Sequence, residues 1–349
     1  MTKKRIWTAV VAVVAATTAL VGCSTSQDAP APSANESSTA VTVENCGRTE
    51  TFTKTPSRVV ILNGTSVAEV ESFVVLGLSG HIIANMQSYG VSDVPSLAEK
   101  VAALPKAGLT LNENYDVPAE QLLALHPDLV VSTWSGGFDK NSGFATRDEL
   151  AAAGANTLVN PANCAKGDPG ATAEQKQHYE TVGVEGSFDF LQLLGQVFHV
   201  EDKAASVIDG QKQQLAQVTD AIEGKGTVSG LVVSPGLTTD GTPSVWTGGI
   251  VDDVLERAGV KNAFAGEKHE AAGTISAEQL AAAKVDVLVV FADSSVDANA
   301  LAAKTFAAYP NWAASQAKRY VIVHDGLYFG PANAAAVEKV ARVAHPDAF

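Results

Sequence analysis

The chain has 349 residues, of which 46% are hydrophobic and 18% are charged, and it carries a formal net charge of −14 at pH 7. This length fits two domains of ordinary size, and the apolar content is sufficient for packed cores, which excludes a globally disordered protein. The negative charge argues against nucleic acid as a partner, because nucleic-acid binding needs a basic face.

The N-terminus is predicted to be a lipoprotein signal peptide, residues 1–22. Three basic residues precede an apolar run over residues 6–20, which is short for a membrane span. Residues 20–23 (LVGC) then look like a lipobox, so Cys23 is the expected site of lipid attachment; an ordinary cleaved signal is the alternative. Two acyl chains would anchor the protein stably to a membrane. Residues 23–43 are rich in Ser, Ala, Pro and Thr and are predicted to form a flexible tether.

The N-terminal lobe is assigned to residues 44–186, where short apolar runs alternate with helical patterns. The predicted strands are residues 58–62, 81–84, 128–132 and 156–159. Strands that alternate with helices indicate a parallel sheet. Residues 163–185 are polar and are predicted to form a long loop.

Two cysteines remain after the signal peptide, Cys46 and Cys164. An exported chain reaches a compartment that permits oxidation, so we expect a disulfide between them. Two buried free thiols are the alternative.

Residues 187–224 are predicted to form the connecting helices. Ser187 is expected to cap a helix over residues 188–198, and residues 201–223 form the longest helical pattern in the chain. A helix of that length spans about 35 Å, which is enough to cross between two lobes; a surface helix of one lobe is the alternative. Residues 225–349 are assigned to the C-terminal lobe, with strands at 231–233, 287–291 and 320–323 and helices at 250–258, 278–283 and 334–344.

A short segment occurs once in each half of the chain. The sequence AEQL at residues 119–122 recurs at residues 277–280, and each copy is followed at matching offsets by an alanine, an aspartate and an apolar strand. The repeat predicts an α/β fold of two Rossmann-like lobes with parallel sheets, joined by one long helix. Two lobes create a cleft between them, and small ligands often bind in such clefts.

Aromatic residues follow several of the predicted strands. Ligands of open α/β sheets bind beyond the carboxyl ends of the strands, so these side chains are candidates for the wall of a pocket. The alternative is that each one covers the core of its own lobe. The candidates are Trp134, Trp246, Tyr328 and Phe329, with Tyr89 as a weaker one.

No catalytic or metal-binding motif is present in the sequence. The P-loop, HExxH and GxSxG patterns are missing, and the seven histidines are scattered. We therefore expect no catalytic residue, no metal site and no cofactor, and we do not expect an enzyme. A metal- or tetrapyrrole-converting enzyme is the alternative of another class, although metal or cluster ligands for it are lacking.

Glu120 and Glu278 occupy the first turns of the two repeated helices. An acid at this position is favoured by the helix dipole, and residues 276–279 fit a capping box, so a purely structural role explains both. The alternative is a pair of negative groups, one per lobe, for a basic partner.

Residues 44–349 resemble the substrate-binding proteins of ABC importers for ferric siderophores, haem and cobalamin. The order and spacing of several stretches carry the resemblance: residues 56–60, 76–78, 120–131, 278–286, 320–323 and 345–349. It implies two lobes joined by one long helix, a monomer, and a position outside the cytoplasm with the lipid on Cys23 in the membrane. It also implies that Glu120 and Glu278 meet arginines on the membrane-spanning subunits of the importer, and that Trp134, Trp246 and Tyr328 or Phe329 lie in the cleft.

The cargo that the resemblance implies is an iron chelate, a ferric siderophore. Arginine is the usual bidentate partner of anionic oxygens. Arg58, Arg147 and Arg257 precede the last helices, but none stands clearly at the carboxyl end of a strand. The sequence therefore favours a neutral or cationic siderophore over a highly anionic one, with a corrinoid, haem or a deazaflavin precursor as alternatives.

Overall fold

The computed structural model describes residues 40–64, 66–87, 90–235, 243–267 and 275–349. The predicted signal peptide, Cys23 and Tyr89 lie outside these ranges. Residues 38–349 form one compact unit. Within the described ranges, no helix combines the length and apolar character that a membrane span requires.

The N-terminal lobe contains a four-stranded parallel sheet with the spatial order β4-β3-β5-β6. Its strands are β3 (Val59–Ile61), β4 (Ile82–Asn85), β5 (Leu129–Ser132) and β6 (Asn156–Val159). All four agree with the predicted strands to within two residues at each end. The helices of this lobe are α1 (Ala68–Leu76), α2 (Pro95–Ala102), α3 (Ala119–Ala124), α4 (Arg147–Ala152) and α5 (Ala173–Thr181).

Two features of this lobe differ from the prediction. An antiparallel hairpin, β1 (Val41–Asn45) and β2 (Arg48–Phe52), precedes the sheet and begins inside the segment predicted as tether. Helix α5 lies within residues 163–185, which were predicted as a loop; Thr172 and Gln175 form its capping box. None of the side chains of α5 is buried, so the sequence there has no apolar periodicity to reveal a helix.

Two helices connect the lobes, α6 (Glu185–Phe198) and α7 (Glu201–Ala221). The predicted cap by Ser187 is wrong, because α6 begins two residues earlier and the buried Ser187 hydroxyl donates to Asn333 Oδ1 at 2.5 Å. Helix α7 packs against α1 of the N-terminal lobe and against α8 and α12 of the C-terminal lobe. It therefore contacts both lobes, as the long-helix prediction requires.

The C-terminal lobe contains a five-stranded sheet with the path β11-β10-β7-β8, and β9 pairs with the first half of β7. Its strands are β7 (Val228–Ser234), β8 (Ser244–Trp246), β9 (Val260–Asn262), β10 (Val287–Phe291) and β11 (Tyr320–Val323). Strand β8 is antiparallel to β7, and the other pairs are parallel. The helices are α8 (Gly249–Arg257), α9 (Ala277–Ala282), α10 (Ala298–Ala308), α11 (Ala313–Ala317) and α12 (Asn333–Ala344).

The core is continuous between the lobes. Strand β3 sends Val59 and Ile61 into one apolar cluster and Val60 into another, so the N-terminal sheet is covered on both faces. The first of these clusters also contains Val232 and Val289 of the C-terminal sheet, together with apolar side chains of α6, α7 and α12. The connecting helices thus join the two sheets through one buried apolar layer.

Candidate functional site

A cavity of about 180 Å³ lies between the two lobes, and we call it the inner cavity. The N-terminal lobe contributes Thr133, directly after β5, and Lys166. The C-terminal lobe contributes Trp246 at the end of β8 and the segment after β11, including Tyr328. The inner cavity therefore occupies the region beyond the carboxyl ends of strands, where ligands of such sheets bind.

An aromatic wall forms the C-terminal side of the inner cavity. The Trp246 ring centroid is 4.5 Å from that of Phe291 and 5.9 Å from that of Tyr328, and the latter pair is edge-to-face. Trp246 Nε1 donates to Ser234 Oγ at 2.8 Å, which fixes the indole on β7. Phe329, 5% exposed, also lines the cavity. Three of the predicted residues are thus brought together, and their role in binding stays a prediction.

Trp134, the fourth aromatic candidate, is placed beside the inner cavity by two glycines. A Cβ atom at Gly136 or at Gly167 would come within 2.4 and 2.6 Å of the indole, so both positions require glycine for the ring to fit. Lys166 Nζ lies 5.6 Å from the ring centroid, in cation–π geometry. The indole therefore supports the ammonium group that reaches the cavity.

The loop that carries Lys166 is held by covalent and hydrogen bonds. The structure contains a disulfide between Cys46 and Cys164, with the Cα atoms 5.1 Å apart. Ser135 Oγ donates to the Cys164 carbonyl at 2.8 Å, and Gly136 N donates to the Lys166 carbonyl at 3.2 Å. These bonds fix the backbone of Lys166 on the N-terminal lobe.

A second cavity of about 860 Å³, the outer cavity, adjoins the inner one. It is lined by residues 165–169 and by the polar side chains Lys176, Gln177 and Glu180 of α5. Lys166 and Tyr179 line both cavities, so the two share a boundary. Helix α5 also packs against α8 of the opposite lobe.

A buried carboxylate, Glu69, organises the N-terminal side of the cleft. It accepts hydrogen bonds from Gln87 Nε2 at 2.7 Å, Thr133 Oγ1 at 2.6 Å and Asn160 Nδ2 at 2.8 Å. Asn160 Nδ2 also donates to the Phe329 carbonyl at 3.0 Å and so joins this network to the C-terminal lobe. The carboxylate is thus satisfied by neutral donors, as a buried charge requires.

Asp93 links the lobes at a second place. Its carboxylate accepts from the main-chain nitrogens of His324 at 2.9 Å and Gly326 at 2.8 Å, which follow β11. Lys339 Nζ of α12 lies 2.7 Å from the other oxygen. Asp325 of the C-terminal lobe in turn accepts a hydrogen bond from Val67 N of the N-terminal lobe. Burial raises the pKa of Asp325 well above its ordinary value.

The two predicted docking glutamates are exposed, in the first turns of α3 and α9. Each of these helices runs back to the start of a parallel strand, so its N-terminus lies at the carboxyl edge of its sheet, where the cleft is. Ser276 and Gln279 form a capping box in α9. Hydrogen bonding to its own main-chain N–H and to Ser276 lowers the pKa of Glu278. These contacts are consistent with the local structural role considered for Glu278, and a docking role for the pair stays a prediction.

The three arginines considered from the sequence are bound elsewhere. Arg147 pairs with Glu50 at 3.2 Å, Arg257 pairs with Asp253 at 2.9 Å, and Arg58 donates to main-chain carbonyls. None of them lines the inner cavity. Among the described residues that line the inner cavity, the cation is Lys166, which was not among the sequence-based candidates. Across the described ranges, no group of three or more His, Cys, Asp or Glu side chains is placed to hold a metal ion.

Comparison with known proteins agrees with this geometry. The family model described as periplasmic binding protein matches residues 65–324. No curated protein matches the sequence. Among solved structures, a periplasmic binding protein from Veillonella parvula superposes with a TM-score of 0.67 at 17% identity and covers 88% of this chain and 98% of its own.

Two further similar structures are of proteins named for the ligand that they transport or bind. An ABC-type Fe3+-hydroxamate transport system from Saccharomonospora viridis gives a TM-score of 0.66 at 22% identity over 87% of this chain and 98% of its own. A periplasmic heme-binding protein from Pseudomonas aeruginosa gives 0.60 at 21% identity over 83% and 93%. At these identities the likeness establishes the two-lobed α/β fold. With a family model that covers most of its length, the chain belongs to the periplasmic binding protein family.

Proposed function

We propose that this chain is the solute-binding component of an ABC importer and that its cargo is an iron chelate bound between the lobes. The observation that carries the proposal is the inner cavity, where Trp246, Tyr328 and Phe329 of one lobe face Lys166 of the other. Aromatic faces with a few placed polar groups are typical of sites for small organic ligands. The chain binds and delivers its cargo and does not transform it.

The similar structures support an iron-containing cargo, because one is named for Fe3+-hydroxamate transport and another for heme binding. The inner cavity, at about 180 Å³, is smaller than the roughly 300–1,000 Å³ of common ligand sites. A whole chelate therefore needs the outer cavity as well, or a separation of the lobes. Because α7 packs on both lobes, we expect that separation to be small.

Anchoring and delivery complete the proposal. Lipid on Cys23 would hold the protein at the outer face of the membrane, with the following residues as a tether. Glu120 and Glu278, exposed beside the cleft, would pair with arginines of the membrane-spanning subunits. Two charged contacts, one per lobe, would orient the cleft over the translocation path.

Tryptophan fluorescence tests the cargo. The purified protein without its signal peptide is titrated with a neutral ferric trihydroxamate, ferric citrate, haem, cobalamin and a deazaflavin precursor. We expect saturable quenching by an iron chelate, and a clear reduction of the quenching in Trp246→Phe, where Trp134 beside the cavity remains. Trp312→Phe is the matched control, because Trp312 is buried in the C-terminal lobe with its Nε1 bonded to the Leu280 carbonyl and should leave the quenching intact.

Each alternative gives a distinct result in this panel. Saturable binding of haem, cobalamin or the deazaflavin precursor alone would replace the iron chelate as cargo. Equal quenching in wild type and Trp246→Phe would show that the aromatic wall is not part of the binding site.

A further inference from the structure

Lys166 lines the cleft, and its ammonium group has no oppositely charged side chain as an ion-pair partner among the described residues. Its side chain is half-buried, and desolvation lowers the pKa of the ammonium group, with the charge of Glu69 acting in the opposite direction. In the part of the chain that the structure describes, Lys166 takes part in no ion pair. Its one described side-chain interaction is with the Trp134 ring.

Glu69, the acid whose charge acts on Lys166, forms no ion pair with it in the described part of the chain. Three neutral side chains, Gln87, Thr133 and Asn160, already donate to its carboxylate at 2.6–2.8 Å. An ammonium group that has lost part of its hydration gains from an approaching opposite charge or acceptor.

The surroundings of Lys166 define what could approach it. The side chain lines the inner cavity, opposite the aromatic wall, and also lines the outer cavity. The inner cavity has room for a small group, and the outer cavity, at about 860 Å³, has room for a much larger body. Asp168 and Glu180 line only the outer cavity, and Glu69, which accepts a hydrogen bond from Thr133 Oγ1, is not among the residues that line the inner one. An anion in the inner cavity therefore meets Lys166 without a carboxylate among the described residues of the cavity wall.

We propose that Lys166 binds an anionic oxygen of the cargo, such as a carboxylate, and that the charged end of the ligand enters the inner cavity while its larger body occupies the outer one. The proposal rests on the proposed function of the cleft and narrows its substrate class to anionic chelates. It reverses the preference for neutral or cationic ligands that the arginine positions suggest. The disulfide at Cys164, two residues before Lys166, and the Trp134 ring hold the ammonium group in position.

The test compares three probes in calorimetric titrations: citrate without metal, ferric citrate, and a neutral ferric trihydroxamate. Lys166→Gln removes the charge, Lys166→Met does so while it keeps the aliphatic length, and Lys166→Arg keeps the charge. Lys203→Gln is the matched control, because Lys203 is exposed on α7 and lines neither cavity. Thermal unfolding of each variant checks that the fold is retained.

We expect the charge-removing variants to weaken ferric citrate binding by about tenfold to about a hundredfold, the range for one hydrogen bond between charged groups. Binding of the neutral trihydroxamate should change less than about threefold. Lys166→Arg and Lys203→Gln should stay close to wild type for both probes. The same loss should appear for citrate alone.

The other outcomes separate this proposal from the function on which it rests. If iron chelates bind and the charge at position 166 makes no difference, or if both chelates lose affinity equally, the anion site is wrong and the iron-chelate function stands. If citrate binds in a Lys166-dependent way and no iron chelate binds, the anion site stands and the iron-chelate cargo is wrong. If none of the probes binds, both proposals fail.

Discussion

Glu71 allows the electrostatics of the lobe contact to be tested through the pH dependence of stability. Its side chain is buried in α1, and neither carboxyl oxygen has a hydrogen-bond partner among the described residues. Burial raises the pKa of Glu71 from 4.5 to about 8, and the charges of Asp93 and Glu69 act in the same direction, while the nearby Ser92 hydroxyl offsets this only in part. The carboxyl is therefore protonated in the folded protein at pH 7.

The unfolded chain ionises the same group near pH 4.5, so unfolding at neutral pH releases a proton from Glu71. The contribution of Glu71 to the free energy of unfolding is fully present below pH 4.5 and declines as the pH rises towards 8, by about 1.4 kcal/mol per pH unit. Glu71→Gln cannot ionise. Relative to wild type, the variant should therefore gain on the order of 3 kcal/mol between pH 5 and pH 7.

Urea unfolding at pH 5, 6 and 7, followed by circular dichroism, measures this difference. The amide adds a constant cost at every pH, so the change with pH is the informative quantity. Glu99→Gln, at an exposed position of α2, is the control for loss of an acid at the surface. A difference between wild type and Glu71→Gln that stays constant from pH 5 to pH 7 would refute the reasoning.

Three further predictions concern the contacts that hold and use the cleft. Asp93→Asn should lower the free energy of unfolding by about 2 kcal/mol, because the carboxylate receives two main-chain N–H groups of the opposite lobe and the Lys339 ammonium; an unchanged urea midpoint would contradict this. Replacing Cys46 and Cys164 by serine should cost about 2–5 kcal/mol in non-reducing unfolding experiments, and wild type treated with dithiothreitol should match the double variant. Reversing the charges of Glu120 and Glu278 together should abolish importer-dependent uptake while ligand affinity stays the same; normal uptake would exclude the docking role.

The order of elements could be predicted from the sequence because it rests on local signals. Buried parallel strands appear as apolar runs, and Gly77 marks the end of α1 by adopting the left-handed conformation that favours glycine. The AEQL repeat indicated two similar lobes, and both copies form the expected helices, α3 and α9. The β1–β2 hairpin was missed because its strands are five residues long and mostly polar.

The site could be predicted only in part. Tyr328 and Phe329 follow β11, and Trp246 is the last residue of β8, so their positions at strand ends, which depend on sequence order alone, place all three at the inner cavity. Lys166 was missed because its place in the cleft depends on how a polar segment folds back over Trp134, which no periodicity reveals. The one signal in the sequence is its distance of two residues from Cys164, a cysteine expected to form a disulfide with Cys46. The crossing contacts of Asp93 and Asn160 depend on lobe packing and leave no local pattern.

The disulfide between Cys46 and Cys164 also determines at which stage, before or after export, the cleft acquires its final covalent structure. Thiols remain reduced in the cytosol, whereas the exported chain meets an oxidant. The loop that carries Lys166 therefore acquires its covalent support only after translocation. A copy of the chain retained inside the cell would lack that link, and recombinant protein from a reducing cytosol should be oxidised before its affinity is measured.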